Sequence, residues 1–300
     1  MNWKEQYQHL SKSLLVIYDQ SEANAVAKTV TESIGKESLL KLNDQELTSV
    51  ELERLDDVLK QLLKKRPVQY VLNEAWFFGL KLEVNENVLI PRPETEELVD
   101  WMIKEMKNEK WKMENEATQS DNLISSDQYA LLDIGTGSGC ISIAIKKNIP
   151  ATEVTAIDVC SEALHTAINN AVTHETEINF QLLDFLDENK WNELEVYDII
   201  VSNPPYIKTS EAKIMSEHVL QYEPHKALFV ADNDALLFYR KIADFSLQHL
   251  NKNGTVYLEI NQQMGKETTG LFQQKGFIVE LRKDMSGNER MLKAELGDKL

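Results

Sequence analysis

The sequence predicts an α/β fold, a mostly parallel sheet with helices on both faces, preceded by a small helical bundle and a β-hairpin. Three observations carry that expectation. From Tyr129 onward, short buried-strand runs alternate with segments of helical period, the pattern of a parallel sheet covered on both sides. A glycine-rich turn at residues 135–139 directly follows the first of those runs. The run YDIIVS ends in Asn203-Pro204-Pro205-Tyr206, a stiff, donor-poor corner that cuts a strand short.

The first 66 residues read as helices. In TSVELERLDDVLKQLLKK, Val50, Leu52, Leu55, Val58, Leu59, Leu62 and Leu63 recur at helical spacing. Thr48 with Glu51 has the form of a capping box, and Pro67 after a basic last turn has the form of a stop. One apolar stripe per helix implies a bundle, assigned to residues 1–68. Over residues 69–92 the pattern changes: WFFGLKLEVNENVLIPRP alternates as strands do, with the polar Asn85-Glu86-Asn87 expected at the turn of a linking β-hairpin. Residues 93–300 form the third region. Helical spacing resumes from Glu94 to Met106, and the polar, nearly aperiodic stretch 107–128 is expected to be a mobile surface insertion. Strands are then expected at 129–134, 153–158, 178–183, 197–202 and 255–260, with 277–283 and 291–296 closing the sheet. No internal repeat is visible.

Composition narrows the function. The chain has 300 residues, 42% of them apolar, enough for a packed core. Asp and Glu outnumber Lys and Arg by 49 to 32, for a formal charge of -17. Such a surface suits solubility and opposes phosphate backbones, which are bound by Lys and Arg displacing counterions. Two cysteines, Cys140 and Cys160, make no disulfide framework, and the six histidines show no zinc-ligand spacing. The polar start MNWKEQYQHL is unlike a signal peptide and no apolar run reaches membrane-spanning length, so a cytoplasmic protein is expected.

In ALLDIGTGSGC, Gly135, Gly137 and Gly139, with Thr136 and Ser138 between them, sit between a buried strand and a helix starting near Cys140. Glycines there allow a tight turn and close approach of a ligand to the main chain. A dinucleotide fingerprint needs its third small residue at position 140, which is Cys140, and no Walker lysine follows. Asp133, just ahead of the loop, is ill placed beside a pyrophosphate and suits a positive amine and sulfonium. Asp158, ending the next strand, is placed to accept from ribose hydroxyls. Together these favour S-adenosylmethionine over NAD. Asp184 and Phe185 follow the third strand along the same edge; the aspartate suits an adenine amino group, and the phenylalanine either covers the ring face or belongs to the core.

Strand ends in an open α/β sheet lie where ligands bind. A residue before proline is pushed into extended geometry, and this constrains Asn203 and then Pro204. The corner therefore presents two acceptors, the Asn203 side-chain oxygen and the Pro204 carbonyl, beside Pro205 and the Tyr206 ring. Two fixed acceptors match a planar NH2 group, found on the carboxamide of glutamine or asparagine and on the amine of adenine. Its nitrogen lone pair is delocalised; gripping both hydrogens pyramidalises it toward a sulfonium methyl. Positioning of this kind supplies up to about 7–11 kcal/mol in ideal cases.

These residues resemble the HemK/PrmC family, S-adenosylmethionine-dependent methyltransferases of the glutamine in the Gly-Gly-Gln motif of peptide chain release factors. PRPETEELV, DIGTGSG, SNPPYI and EPHKAL occur in the family's order, and the likeness runs from about residue 67 to 293. NPPY alone is shared with adenine-N6 methyltransferases; NPPY with PRPETE is far more specific. The resemblance implies a class I methyltransferase fold with a Rossmann-like, seven-stranded sheet and an N-terminal helical domain that docks the protein substrate. It implies cofactor contacts at residues 135–139, Asp158, Phe185 and Asn203, and substrate contacts at residues 203–206. The family often has tryptophan at position 185 and glycine at 73, 231 and 235, where this chain has Phe185, Asn73, Ala231 and Ala235. Arg92 and Glu94 form either a structural ion pair or a substrate contact. The alternatives are a ribosomal-protein glutamine methyltransferase, from which PRPETE points away, and an adenine-N6 enzyme acting on a flipped base, for which no basic cluster is present.

Overall fold

In the computed structural model, which describes residues 2–116 and 129–297, the chain forms two compact units, Met1–Glu74 with Met215–Tyr222 and Ala75–Ile214 with Glu223–Leu300. The first is built from helices α1 (Trp3–Leu14), α2 (Gln20–Gly35), α3 (Leu39–Leu42), α4 (Ser49–Leu62) and α5 (Val68–Leu72). Helix α4 starts as its sequence indicates: Thr48 Oγ1 accepts from the Glu51 amide at 3.3 Å, and Glu51 Oε2 accepts from the Thr48 amide at 2.8 Å. Its stripe is narrower than the apolar positions suggest. Leu55, Val58 and Leu62 are buried with Leu10, Leu14, Ala27 and Val30, whereas Val50 and Leu63 face solvent. Each buried side chain contributes about 1.5–3 kcal/mol. The helix stops at Leu62, before Pro67, in a tight turn in which Lys65 takes a φ of 63°. Tyr222 Oη donates to the Lys64 carbonyl at 2.9 Å and Lys65 pairs with Glu217, both from the returning segment 215–222.

Two strands, β1 (Glu74–Phe77) and β2 (Leu80–Glu83), make the hairpin, but its turn is Phe78-Gly79 and not Asn85-Asn87. Phe78 and Gly79 have φ of 49° and 76°, the pair of left-handed residues that a two-residue turn requires. Asn85 instead closes a local turn, its Oδ1 accepting from the Asn87 amide at 2.9 Å. Helix α6 (Pro93–Glu116) runs ten residues beyond the expected Met106, so the supposed insertion begins as helix; its remainder, 117–128, lies outside the described residues.

The sheet follows as β3 (Ala130–Ile134), α7 (Cys140–Asn148), β4 (Glu153–Asp158), α8 (Ser161–Thr173), β5 (Asn179–Leu182), β6 (Tyr197–Ser202), β7 (Ile207–Lys208), α9 (Glu217–Tyr222), α10 (His225–Leu228), β8 (Phe229–Val230), α11 (Leu237–His249), β9 (Leu250–Glu259), α12 (Gly265–Gln274), β10 (Phe277–Lys283) and β11 (Glu289–Leu296). Its seven strands lie in the order β10-β11-β9-β6-β3-β4-β5. Strands β5, β4, β3, β6 and β9 pair in parallel and β11 runs antiparallel between β9 and β10, so the expected seven-stranded, mostly parallel sheet is present. Two buried clusters cover its faces, one around Ile200, Phe245 and Phe272, the other around Leu131, Ile143 and Met102. No helix among the described residues is long and apolar enough to cross a membrane.

Asn73, where the resemblance leads one to expect glycine, closes α5 with φ 55° and ψ 35°, a left-handed conformation that asparagine tolerates. Ala231 and Ala235, at φ -64° and -66°, occupy ordinary backbone, so their departure from glycine carries no strain. Asn73→Gly should leave thermal stability nearly unchanged, while Asn73→Ala should cost about 1–2 kcal/mol, read from the midpoint of chemical unfolding.

Candidate active site

Strand β3 pairs with β4 on one side and β6 on the other, with Ile134 opposite both Ile157 and Ser202. The chain thus diverges at β3, and a crevice opens at the carboxyl ends of these strands. A cavity of about 350 Å³ fills it, lined by the glycine loop, the ends of β4 to β6, and residues from the segments before α6 and around α10. Gly135, Thr136, Gly137, Ser138, Asp158, Asp184, Phe185, Asn203, Pro204 and Pro205 all face it; Asp133, Gly139 and Tyr206 do not line it.

The loop is held from outside. The amides of Gly135 and Thr136 donate to the Ile157 carbonyl at 2.9 and 3.0 Å, and Asn170 Nδ2 on α8 donates to the Ser138 carbonyl at 2.9 Å. Gly135 and Gly137 have φ of 74° and 56°, and a Cβ on either would enter open space, so a ligand can lie directly against the main chain. Asp158 accepts the Gly137 amide on Oδ2 and the Cys160 amide on Oδ1, each at 2.9 Å, leaving a lone pair on each oxygen for further donors. Burial raises its pKa, and those amides partly offset the rise.

Asp133 is fully buried beneath the loop. Its Oδ2 accepts the hydroxyls of Thr136 and Ser142, both at 2.7 Å, while Oδ1 has no hydrogen-bond partner among the described residues. Burial pushes its carboxyl up to about 6, against the pull of the Ser142 and Thr136 hydroxyls. Phe185 belongs to the core and also borders the cavity. It is 5% exposed and stacks on Trp191 at 5.6 Å. Asp184 Oδ1 accepts the Leu186 amide at 3.0 Å and so stiffens the turn that presents both residues.

At the corner, Asn203 Nδ2 donates to Thr95 Oγ1 at 3.1 Å, Thr95 Oγ1 donates to Glu259 Oε2 at 2.6 Å, and Tyr206 Oη donates to Glu259 Oε1 at 3.0 Å. Tyr206, expected at the cavity wall, is a buttress instead, with its ring against the core and its own carbonyl accepting from Asn261 Nδ2 at 3.1 Å. Burial and the adjacent carboxylate raise its pKa well above the usual phenol value. Glu259 is 1% exposed; burial raises its pKa, with the Thr95 and Tyr206 hydroxyls and Arg290 acting against the rise.

The PRPETE segment now has a physical account. Arg92 pairs with Glu223 at 2.6 Å rather than with Glu94, because Glu223 is a buried carboxylate that would otherwise lack a cation. Glu94 lies in the acidic first turn of α6, where the helix dipole favours it. Glu96 Oε1 accepts the Phe78 amide at 2.8 Å and fixes the hairpin turn. Thr95, Glu259 and Glu223 escape identification as site residues from sequence, since their partners lie 53 to 164 positions away.

The "Methyltransferase small domain" family model matches residues 120–229. The chain is 44% identical over 286 residues to the release factor glutamine methyltransferase of Flavobacterium psychrophilum, covering 94% of this chain and 95% of that one. It is 39% identical over 294 residues to the protein of the same name in Lactococcus lactis, covering 97% and 99%. A solved protein-(glutamine-N5) methyltransferase (release factor-specific) from Alicyclobacillus acidocaldarius aligns with a TM-score of 0.41 at 27% identity, over 72% of this chain and 99% of that one.

Removing one partner of the Arg92–Glu223 pair strands a buried charge. Arg92→Ala should cost roughly 2–4 kcal/mol in urea unfolding, below the 3–5 of a fully buried pair because the arginine is 30% exposed. Adding Glu223→Gln to that variant should recover most of the loss.

Proposed function

The chain belongs to the release factor glutamine methyltransferase family, and on that premise we propose how its cavity serves the reaction. It methylates the side-chain amide nitrogen of a glutamine in peptide chain release factors. The glutamine of the Gly-Gly-Gln segment is the substrate we assign, with its carboxamide held at the Asn203 corner.

S-adenosylmethionine, when bound, supplies a methyl group on a positive sulfur. The residues present fit it. The open backbone at Gly135 and Gly137 accommodates its amino-acid part, and the spare lone pairs of Asp158 suit ribose hydroxyls. Asp133, buried beneath the loop with its Oδ1 unpartnered among the described residues, would supply negative charge for the cationic portion. Asp184 and Phe185, both on the cavity wall, would take the adenine amino group and ring face.

One observation carries the substrate assignment: Asn203 donates its Nδ2 to Thr95, so Oδ1 is the atom it offers the cavity. Together with the Pro204 carbonyl this gives two acceptors for the two hydrogens of a carboxamide. Their grip favours a pyramidal nitrogen whose lone pair faces the methyl group, and the N-methylated product, still protonated, is acidic enough to lose its proton to water. We assign the N-terminal helical unit to docking of the release factor, since the cavity is lined wholly by residues of the other unit.

Incubation with labelled S-adenosylmethionine and a purified release factor, with a ribosomal protein and DNA in parallel, should place the label on the release-factor glutamine by peptide mass spectrometry. Label on the DNA, or on neither protein, would overturn the reading. Asn203→Ala should lower transfer at least about 100-fold, roughly 2.7 kcal/mol, while cofactor affinity falls only a few-fold; parallel loss of both would show that Asn203 serves the cofactor instead. The pH dependence follows from Asp133. Its pKa lies above the unfolded value, so ionising it inside the fold costs stability as pH rises through about 6, and a bound cation offsets that cost. Cofactor affinity should therefore strengthen up to about tenfold from pH 5 to 7 by calorimetry, and Asp133→Asn should flatten the profile.

A further inference from the structure

We propose that Thr95 and Glu259 are positioning residues that dictate which end of the Asn203 carboxamide faces the substrate. The inference rests on the reading of Asn203 as the group that grips the glutamine amide. A carboxamide has two nearly isosteric ends, an acceptor oxygen and a donor nitrogen. Only the oxygen can receive a hydrogen from a substrate NH2; a flipped amide would oppose donor to donor.

The hydrogen bonds at the corner decide between them. A threonine hydroxyl has one proton. At 2.6 Å from Glu259 Oε2, Thr95 Oγ1 commits that proton to a carboxylate, which has none to give. Toward Asn203 the Thr95 oxygen is left solely as an acceptor, so the group it takes at 3.1 Å has to be Nδ2, and Oδ1 goes to the cavity. Thr95 and Glu259 are 2% and 1% exposed, so water does not compete for these bonds. The other oxygen of Glu259 takes the Tyr206 hydroxyl at 3.0 Å. A single buried carboxylate at the end of β9 thus polarises one end of the corner and pins the other.

The exchange rate of the Asn203 side-chain amide protons with solvent, followed by NMR on the full chain and assigned by their loss in Asn203→Ala, reads this bond without any substrate. Thr95→Val keeps the shape and removes the acceptor, and is expected to raise that rate at least tenfold. In the methylation assay it should lower kcat 10- to 100-fold with cofactor Kd within threefold of wild type, and Thr95→Ser should restore at least a third of kcat. Glu259→Gln, which deprives one hydroxyl of its acceptor, should lower kcat in the same way. Unchanged exchange in Thr95→Val, or a kcat within threefold of wild type, overturns the proposal; should that variant fail to fold, Thr95→Ala with the same readouts decides. If the wild-type protein leaves glutamine unmodified, the proposed function falls, and the exchange measurement still judges the Thr95 bond.

Discussion

The parallel pairing of β3 with both β4 and β6 is the constraint on which the site depends. With Ile134 level with Ile157 and Ser202, the residues that follow each strand emerge side by side. The Ser202 hydroxyl reinforces that register by donating to the Ile134 carbonyl at 2.7 Å. A slip of one residue would turn the buried side chains of β6 over and move Asn203 away from the glycine loop. The glycine loop and the proline corner meet because a sheet ladder aligns them.

Around that ladder, the segment at the start of α6 acts as a hub. Three consecutive functions issue from it: Arg92 neutralises buried Glu223, Thr95 connects the corner to Glu259, and Glu96 secures the hairpin turn. Each partner belongs to a different part of the unit. A buried carboxylate is costly unless paired or hydrogen-bonded, and Glu223 and Glu259 are each satisfied by a residue of this one segment. The motif's residue types follow from those obligations.

Much of this was legible in the sequence. Buried parallel strands read as runs of apolar and β-branched residues, so 153–158 and 197–202 coincide with the observed strands to the residue, and the antiparallel edge strand 277–283 does so through its alternation. The glycine loop and the proline corner were legible because their backbone demands are local. The hairpin turn was not: Phe78 gives no local sign of a left-handed φ, and the carboxylate that holds its amide lies eighteen residues on. Helix α6 outran its apolar spacing because Lys and Glu, frequent after position 106, favour a helix by intrinsic propensity. Glu259 sits in TVYLEI as a lone acid in an apolar strand, and nothing nearby in sequence reveals that it serves Thr95 and Tyr206.

Cys140 lines the same cavity, at the first turn of α7. Burial, with the negative charge of Asp133 adding to it, pushes the thiol up to about 12. At neutral pH the side chain is therefore a neutral thiol, a far weaker nucleophile than a thiolate. The buried acid beneath the glycine loop thereby keeps this cavity-lining sulfur in its less reactive, protonated form.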